Sequence, residues 1–433
     1  MRVILFTGKG GVGKTTTAAA TAVRAARSGV KTLVMSTDAA HSLGDALDVD
    51  LSGPAQRDSA EQARSGPVEV EPGLSALQIS APHSLDSSWR VVQDYLLEVL
   101  DTLGIDPVVA EELTSLPGAE EIAALLELRS RADSGEWDLI VVDCAPTAET
   151  LRLLALPEAL AWHLERLLPA QRGLMRTLRP AAAAAAGMPL PSPEVATTVS
   201  GWYRQMRDVH ALLTGPAASV RLVLTPERVV IAEARRTWTS LGLYGFAVDG
   251  VVVNRVIPAA AARGDVWRRS WNEAQRAGLV EVAESFAGLP ILRVPYLAGE
   301  PIGTDALDAL AGLIEGDVSS TDDPLGVLGP VRHDGMRVRR SGSGYVLSLP
   351  LPLVHAREVD LKRRDAELLV SVGDHRRVLS LPAALQRCVV RGARVREGTL
   401  RVTFEPDPDL WPVPVDAQGN DGTDDGMREA AHG

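Results

Sequence analysis

Ten residues near the N-terminus could do chemistry. Gly8-Lys9-Gly10-Gly11-Val12-Gly13-Lys14-Thr15, followed by Thr16 and Thr17, put glycines, two lysines and three hydroxyls into one short run. The spacing G-x-x-x-x-G-K-[ST] is that of a loop whose backbone amides cradle phosphate oxygens. Gly8, Gly10, Gly11 and Gly13 let the chain wrap closely around an anion where a Cβ would collide. The amides of Val12 and Thr16 belong to the same cradle. Lys14 is placed to reach the β- and γ-phosphates of a nucleotide, and the Thr15 hydroxyl to ligate Mg²⁺. Two acids complete the set. Asp38 closes Thr32-Leu33-Val34-Met35-Ser36-Thr37, and Asp143 closes Trp137-Asp138-Leu139-Ile140-Val141-Val142.

Such a loop works only between a strand and a helix, where a helix N-terminus faces the anion. Val3-Ile4-Leu5-Phe6 reads as a buried strand before it, and Thr16 to Arg27 as an Ala-rich helix after it, stopped by Gly29. Ligands of α/β sheets bind beyond the carboxyl ends of the strands. Asp143 at such an end is positioned to hold a Mg²⁺ shell. Asp38 has two readings, a helix cap or a residue facing a γ-phosphate. Cys144 reads as a small buried filler beside the site rather than a reactive thiol.

The chain has 433 residues and a net charge of −12. That length predicts two or three domains. The acidic balance argues against nucleic acid as a partner, because phosphate-backbone binding needs a cationic face. No apolar run approaches transmembrane length. The N-terminus enters a strand directly, so no signal peptide is expected. Cys144 and Cys388 are the only cysteines and lie far apart, which fits a reducing cytoplasm and excludes a disulfide framework.

Lys9 narrows the class. Lys14 already serves the chain's own nucleotide, so a second cation in the loop is available to a partner's nucleotide. G-K-G-G-V-G-K-T-T resembles the deviant phosphate loop of the MinD, ParA, nitrogenase iron protein and arsenite-pump ATPase class, in which the extra lysine crosses a dimer interface. Thr37-Asp38-Ala39-Ala40-His41-Ser42-Leu43 is similar to the family signature D-P-A-H-S-L-S-D. Asp143-Cys144-Ala145-Pro146-Thr147-Ala148-Glu149-Thr150-Leu151-Arg152 is similar to D-T-A-P-T-G-H-T-L-R. Together these resemble the loop and two switches of the arsenite-pump ATPase family, which includes factors that deliver tail-anchored proteins to membranes. The resemblance implies ATP and Mg²⁺ as cofactors, Asp38 as the residue orienting the attacking water, and a homodimer. It also implies hydrophobic or tail-anchored clients, with no more than transient membrane association. Ala39, Cys144, Ala148 and Glu149 depart from the family pattern. The cysteine cluster used for arsenite and the zinc-binding C-x-x-C are missing.

The rest of the chain supplies the scaffold. Leu74 to Ile79, Arg221 to Leu224, Gly250 to Asn254 and Ile291 to Val294 read as further strands. Asn254 and Pro295 resemble the family's adenine-side contacts. Helical spacing runs through Trp89, Val92, Leu96, Val99 and Leu103, and through Ile122 to Leu128. It continues at Leu156, Leu160, Leu164 and Leu167, then at Val195, Val199, Trp202, Met206, Val209 and Leu213. These stripes are either core or a client groove. The expected organisation is α/β with a mostly parallel sheet over 1–316, carrying a helical insert at about 83–135 and 156–215. A linker follows at 317–330. Six short strands between Tyr345 and Phe404 then predict a small all-β sandwich over 331–406. Asp365 to Pro382 and Glu397 to Val402 resemble an α-crystallin (small heat-shock protein) domain. The acidic stretch 407–433 is expected to be a disordered tail. Its Val413-Pro414-Val415 resembles a docking motif of that family, though a chance match is the better reading.

Three functions fit this reading. The first is an ATPase dimer whose cycle opens and closes a client surface. The second is the ATPase subunit of an anion or metalloid pump. The third is a nucleotide-switched regulatory dimer.

Overall fold

The first strand shows how the main sheet is built. In β1 (Arg2–Thr7) all six residues are buried, but they face two different layers. Val3 and Leu5 join one core and Ile4 and Phe6 the other. A strand covered on both faces reads as an unbroken apolar run, which is why the sequence shows no alternation here. The computed structural model describes residues 1–37, 42–51, 66–79, 83–102, 119–144, 192–258, 266–316, 326–327 and 335–410.

The main sheet has nine strands in the order β3-β4-β2-β5-β1-β6-β7-β8-β9. They are β1, β2 (Thr32–Ser36), β3 (Val68–Glu71), β4 (Leu74–Gln78), β5 (Leu139–Asp143), β6 (Ala218–Leu224), β7 (Val248–Val256), β8 (Ile291–Pro295) and β9 (Glu315–Gly316). From β4 to β8 the pairing is parallel; only the edge strands β3 and β9 are antiparallel. The fold is therefore α/β with a mostly parallel sheet, as the sequence predicts. Both edge strands escaped the sequence reading, being four and two residues long.

On one face lie α1 (Lys14–Arg27), α2 (Ser42–Leu47) and α8 (Thr304–Gly312). The other carries α4 (Ala119–Asp133), α5 (Pro193–Leu213), α6 (Arg228–Tyr244) and α7 (Val266–Ser285). Helix α3 (His83–Thr102) packs on α5. Ala18, Ala19, Ala20 and Ala22 of α1 are completely buried between the sheet and α8. A helix held this closely on both sides admits only small side chains, which explains its composition. The Val195–Leu213 stripe is largely core: Val195, Met206, Val209 and Leu213 are buried. The Leu156–Leu167 stripe and Leu103 lie outside the described residues.

At the amino ends of the strands, Asp249 of β7 ties two buried guanidiniums. Arg2 Nη2 and Arg221 Nη2 each donate to its Oδ2 at 3.0 Å. Removing one partner from such a buried group costs about 3–5 kcal/mol. Arg221 also donates to the carbonyl of Gly326 at 3.3 Å, and Val327 beside it is buried in the α1 layer. That part of the expected polar linker packs into the main core.

Beyond residue 335 the chain forms two antiparallel sheets. One has the order β10-β11-β16-β15, made of β10 (Arg337–Ser341), β11 (Gly344–Pro350), β15 (Cys388–Arg396) and β16 (Thr399–Pro406). The other is β12-β13-β14, with β12 (Val359–Arg364), β13 (Glu367–Val372) and β14 (His375–Ser380). Leu347, Leu349, Leu368, Val370, Leu400, Val402 and Phe404 fill the core between them. Six of the seven strands match the sequence expectation. The seventh, β10, was missed because Arg-Val-Arg-Arg-Ser has no apolar alternation, and all five of its residues are exposed. The stretch 411–433, including Val413-Pro414-Val415, lies outside the described residues.

The sandwich is docked on the carboxyl end of α6. Leu243 of that helix is fully buried in the sandwich core. Arg377 Nη1 donates to the Leu243 carbonyl at 2.7 Å, and Thr239 Oγ1 to the Pro352 carbonyl at 2.8 Å. Gly242 admits this approach: a Cβ there would lie 2.8 Å from Pro352 Cδ.

Candidate functional site

The loop 8–15 leaves β1 at the middle of the sheet, between β5 and β6. Its glycines have separate reasons. A Cβ on Gly8 would collide with the Val223 carbonyl of β6. Gly13 has φ +91° and caps α1, and a Cβ there would occupy the position of Asn254 Nδ2. Gly10 and Gly11 are exposed, with open space around them and φ +77° at Gly11. Closely packed glycines thus anchor the two ends of the loop, and open ones leave its middle accessible to a ligand.

Lys14 is buried, and its Nζ donates to the Lys9 carbonyl at 3.4 Å. The ammonium is held over the loop, where phosphate oxygens would replace the carbonyl as its acceptor. Val12 is buried, and its carbonyl accepts from Asn254 Nδ2 at 2.8 Å. Asn254 Oδ1 accepts from the Arg255 amide at 2.8 Å. Asn254 therefore ties the end of β7 to the loop, a contact that no sequence spacing reveals. Pro295 is half-buried at the end of β8, paired with Val256 two residues beyond Asn254. Thr16 is half-buried in the first turn of α1, while Thr17 Oγ1 donates to the Gly13 carbonyl at 2.9 Å.

The two metal candidates come together. Thr15 Oγ1 donates to Asp143 Oδ2 at 2.7 Å across 128 residues of sequence. Ser36 Oγ donates to the same oxygen at 3.3 Å, and Ser42 Oγ lies 3.2 Å from Thr15 Oγ1. Neither serine was picked out from the sequence; Ser42 stands inside a recognised motif, but Ser36 carries no signal. Mg²⁺ takes hard oxygen ligands, often one or two from protein and the rest from phosphate and water. One buried carboxylate beside hydroxyls fits that requirement.

Asp38 lies outside the described residues, as do 39–41. Both flanks are anchored at the site. The Thr37 amide donates to the Asp143 carbonyl at 2.9 Å, and α2 begins at Ser42 beside Thr15. Cys144 is fully enclosed, and burial pushes its thiol above the ordinary range, with the adjacent Asp143 charge adding to the effect. It is the filler that the sequence predicts. Cys388 is also buried and its thiol is likewise raised, chiefly by burial.

Lys9 is paired with a neighbouring helix. Its Nζ lies 3.8 Å from Glu233 Oε2 on α6, and 42% of its side chain is exposed. The chain uses arginine almost everywhere. Only Lys9, Lys14, Lys31 and Lys362 among its 44 basic residues are lysine. Two of the four stand in this loop. Among the described residues no helix is long and apolar enough to cross a membrane.

Residues 1–316 match the family model described as anion-transporting ATPase, and residues 342–404 match one described as an HSP20-like domain found in ArsA. An uncharacterized protein of Streptomyces coelicolor is 39% identical over 414 residues, covering 95% of this chain and 99% of that protein. A protein of Chlorobaculum tepidum named as an arsenical pump-driving ATPase is 32% identical, covering 94% and 96% respectively. ATPase GET3C of Arabidopsis thaliana is 28% identical, covering 72% of this chain and 81% of its own length.

Proposed function

The chain belongs to the anion-transporting ATPase family, and from that premise we propose that it is a Mg²⁺-dependent ATP hydrolase working as a homodimer. The observation that carries this is the 2.7 Å bond joining Thr15 to Asp143 directly behind the glycine loop. Lys14 and the loop amides hold the phosphates. Thr15 and Asp143 would hold Mg²⁺, which neutralises charge on the β- and γ-phosphates when bound. Asp38 orients the attacking water. Hydrolysis of this kind rests on positioning and charge stabilisation rather than covalent chemistry.

Lys9 acts across the dimer, offsetting charge that builds on the partner's β–γ bridge. Its partner in the single chain, Glu233, is about a third exposed. Exposed pairs of this kind contribute roughly 0–1 kcal/mol, so phosphate displaces Glu233 readily. Turnover per subunit should then rise with protein concentration. It should fall at least tenfold in Lys9→Ala and vanish in Lys14→Ala. Equal turnover in Lys9→Ala and wild type would remove the dimer-crossing step.

The nucleotide cycle drives apolar client binding. Support comes from Val266, Trp267 and Trp271 at the start of α7, which are 72%, 63% and 48% exposed. Exposed apolar patches mark contact surfaces. Tail-anchored membrane proteins are the proposed client class. Purifying Asp38→Asn, expected to trap ATP, and identifying what co-purifies tests it. Proteins with one terminal apolar segment, lost on Lys14→Ala, are the expected cargo. A clean dimer without apolar cargo would favour the regulatory reading. A metalloid pump is disfavoured because the two cysteines are buried on β15 and beside β5.

A further inference from the structure

We propose that the outer face of the β10-β11-β16-β15 sheet is a docking site for an extended acidic polypeptide segment. The net charge of −12 conceals two opposite halves. Residues 331–406 hold fifteen Lys and Arg against eight Asp and Glu, a balance of +7, which leaves −19 for the rest. Four of these arginines share one surface. Arg337 stands opposite Ser348, Ser348 opposite Arg401, and Arg401 opposite Arg394, so one row across four strands carries three guanidiniums. Arg339 begins the next row, opposite Val346. The other face of the same strands is the apolar core.

Like charges directly opposite each other on a sheet are destabilising. Among the described residues the facing pair Arg394 and Arg401, and Arg339 beside it, form no ion pair. The surface keeps a repulsion that an incoming anion would relieve.

The surroundings select the anion. The arginines line a cleft of about 990 Å³ whose opposite wall is formed by Trp238, Gly242, Phe246, Val248 and Leu289 of the main domain. Among the described residues its acids are Glu284 and Glu397, and Glu397 pairs with Arg396 at 3.5 Å. A flat bilayer cannot enter a cleft walled by the same protein. A polypeptide strand fits. β10, at the sheet's edge, is exposed throughout, which leaves that end of the arginine row open to an incoming segment. Side chains of an extended segment reach one face at every second residue. Carboxylates at alternate positions of a segment laid across the four strands would therefore meet Arg337, Arg401 and Arg394 in turn.

The test uses the full chain and a fluorescent twelve-residue peptide with aspartate at every second position. Anisotropy should show saturable binding that weakens at least tenfold from 50 to 300 mM salt, in the range expected for screened charge pairs. Binding should fall at least tenfold in Arg394→Glu/Arg401→Glu and persist in Arg394→Lys/Arg401→Lys. ATP turnover, read in parallel, should be unchanged in both, which separates this site from the catalytic one. No binding to wild type, or equal binding to the glutamate variant, would overturn the proposal. So would tighter binding of phosphatidylserine vesicles or of a single-stranded oligonucleotide than of the peptide. Replacing Asp416, Asp421, Asp424 and Asp425 by Asn should leave peptide affinity unchanged. A tenfold gain would give the site to the chain's own acidic segment and overturn a separate partner.

Discussion

At the scale of single residues, the site is a set of close approaches that permit only one side chain each. Gly13 combines a left-handed φ with the Asn254 amide lying where its Cβ would be. Gly13→Ala should therefore lose nucleotide binding altogether, measured by titration with a fluorescent ATP analogue. Asn254→Ala should be milder, because it removes one bond to the Val12 carbonyl and leaves the loop glycines intact. Losing a hydrogen bond to a buried carbonyl costs about 1–3 kcal/mol. Nucleotide affinity should accordingly fall roughly 5- to 150-fold, at ~1.4 kcal/mol per factor of ten. Wild-type affinity in Asn254→Ala would show that the loop holds its shape without this tie. The two cysteines yield a negative prediction. Both thiols are buried and raised by burial, and the thiolate is the form that reacts with electrophiles and binds soft metals. Neither should be alkylated by iodoacetamide in the native protein, and arsenite should leave ATP turnover unchanged. Arsenite-stimulated turnover would revive the pump reading.

At the scale of elements, helices are placed by what they pack against more than by propensity. Helix α1 is pinned at its end by Arg27, whose guanidinium donates to both Glu71 oxygens at 3.0 and 2.9 Å and to Asp305 at 2.8 Å. One side chain thus joins α1, the edge strand β3 and α8. The Arg27 hydrogen bonds hold the Glu71 carboxyl below its ordinary range. A carboxyl depressed in the folded state contributes stability above its unfolded pKa, about 4.3. That contribution is lost as pH falls from there through the folded value. Urea midpoints for wild type and Glu71→Gln should differ at pH 6 and converge as pH drops below about 4. A difference that does not change with pH would argue that packing, not the ion pair, is what Glu71 supplies.

At the scale of the whole molecule, one helix serves two units. Helix α6 carries Glu233, the partner of Lys9, toward its start, and buries Leu243 in the sandwich core at its end. Gly242 makes the docking possible, since a larger residue would press on Pro352 and on the Pro350 carbonyl. Gly242→Val should push the sandwich off the helix, at the roughly 1–3 kcal/mol typical of overpacking. The expected result is a thermal transition split in two, with protease sensitivity appearing around Pro350–Val354. A single transition at the wild-type temperature would show that the junction yields without undocking. The same junction forms the floor of the arginine cleft, so undocking would also open that cleft.

Much of this protein was legible from sequence because its chemistry is local. The glycine loop, Lys9, Lys14 and Thr15 occupy one run, and α1 and β1 flank it with unbroken apolar or small residues. The scarcity of lysine in an arginine-rich chain marks the same two positions. The buried strands announced themselves because both faces are covered. Contacts between distant segments left no such trace. The Thr15–Asp143 bond spans 128 residues, and the Asn254–Val12 bond spans 242. Ser36 joined the metal group only when β2 and β5 came into register. The arginine row was invisible for a related reason. Arg337, Arg394 and Arg401 are scattered along the chain and diluted by a net negative charge. Only the strand register, with its two-residue period, turns all three to one face.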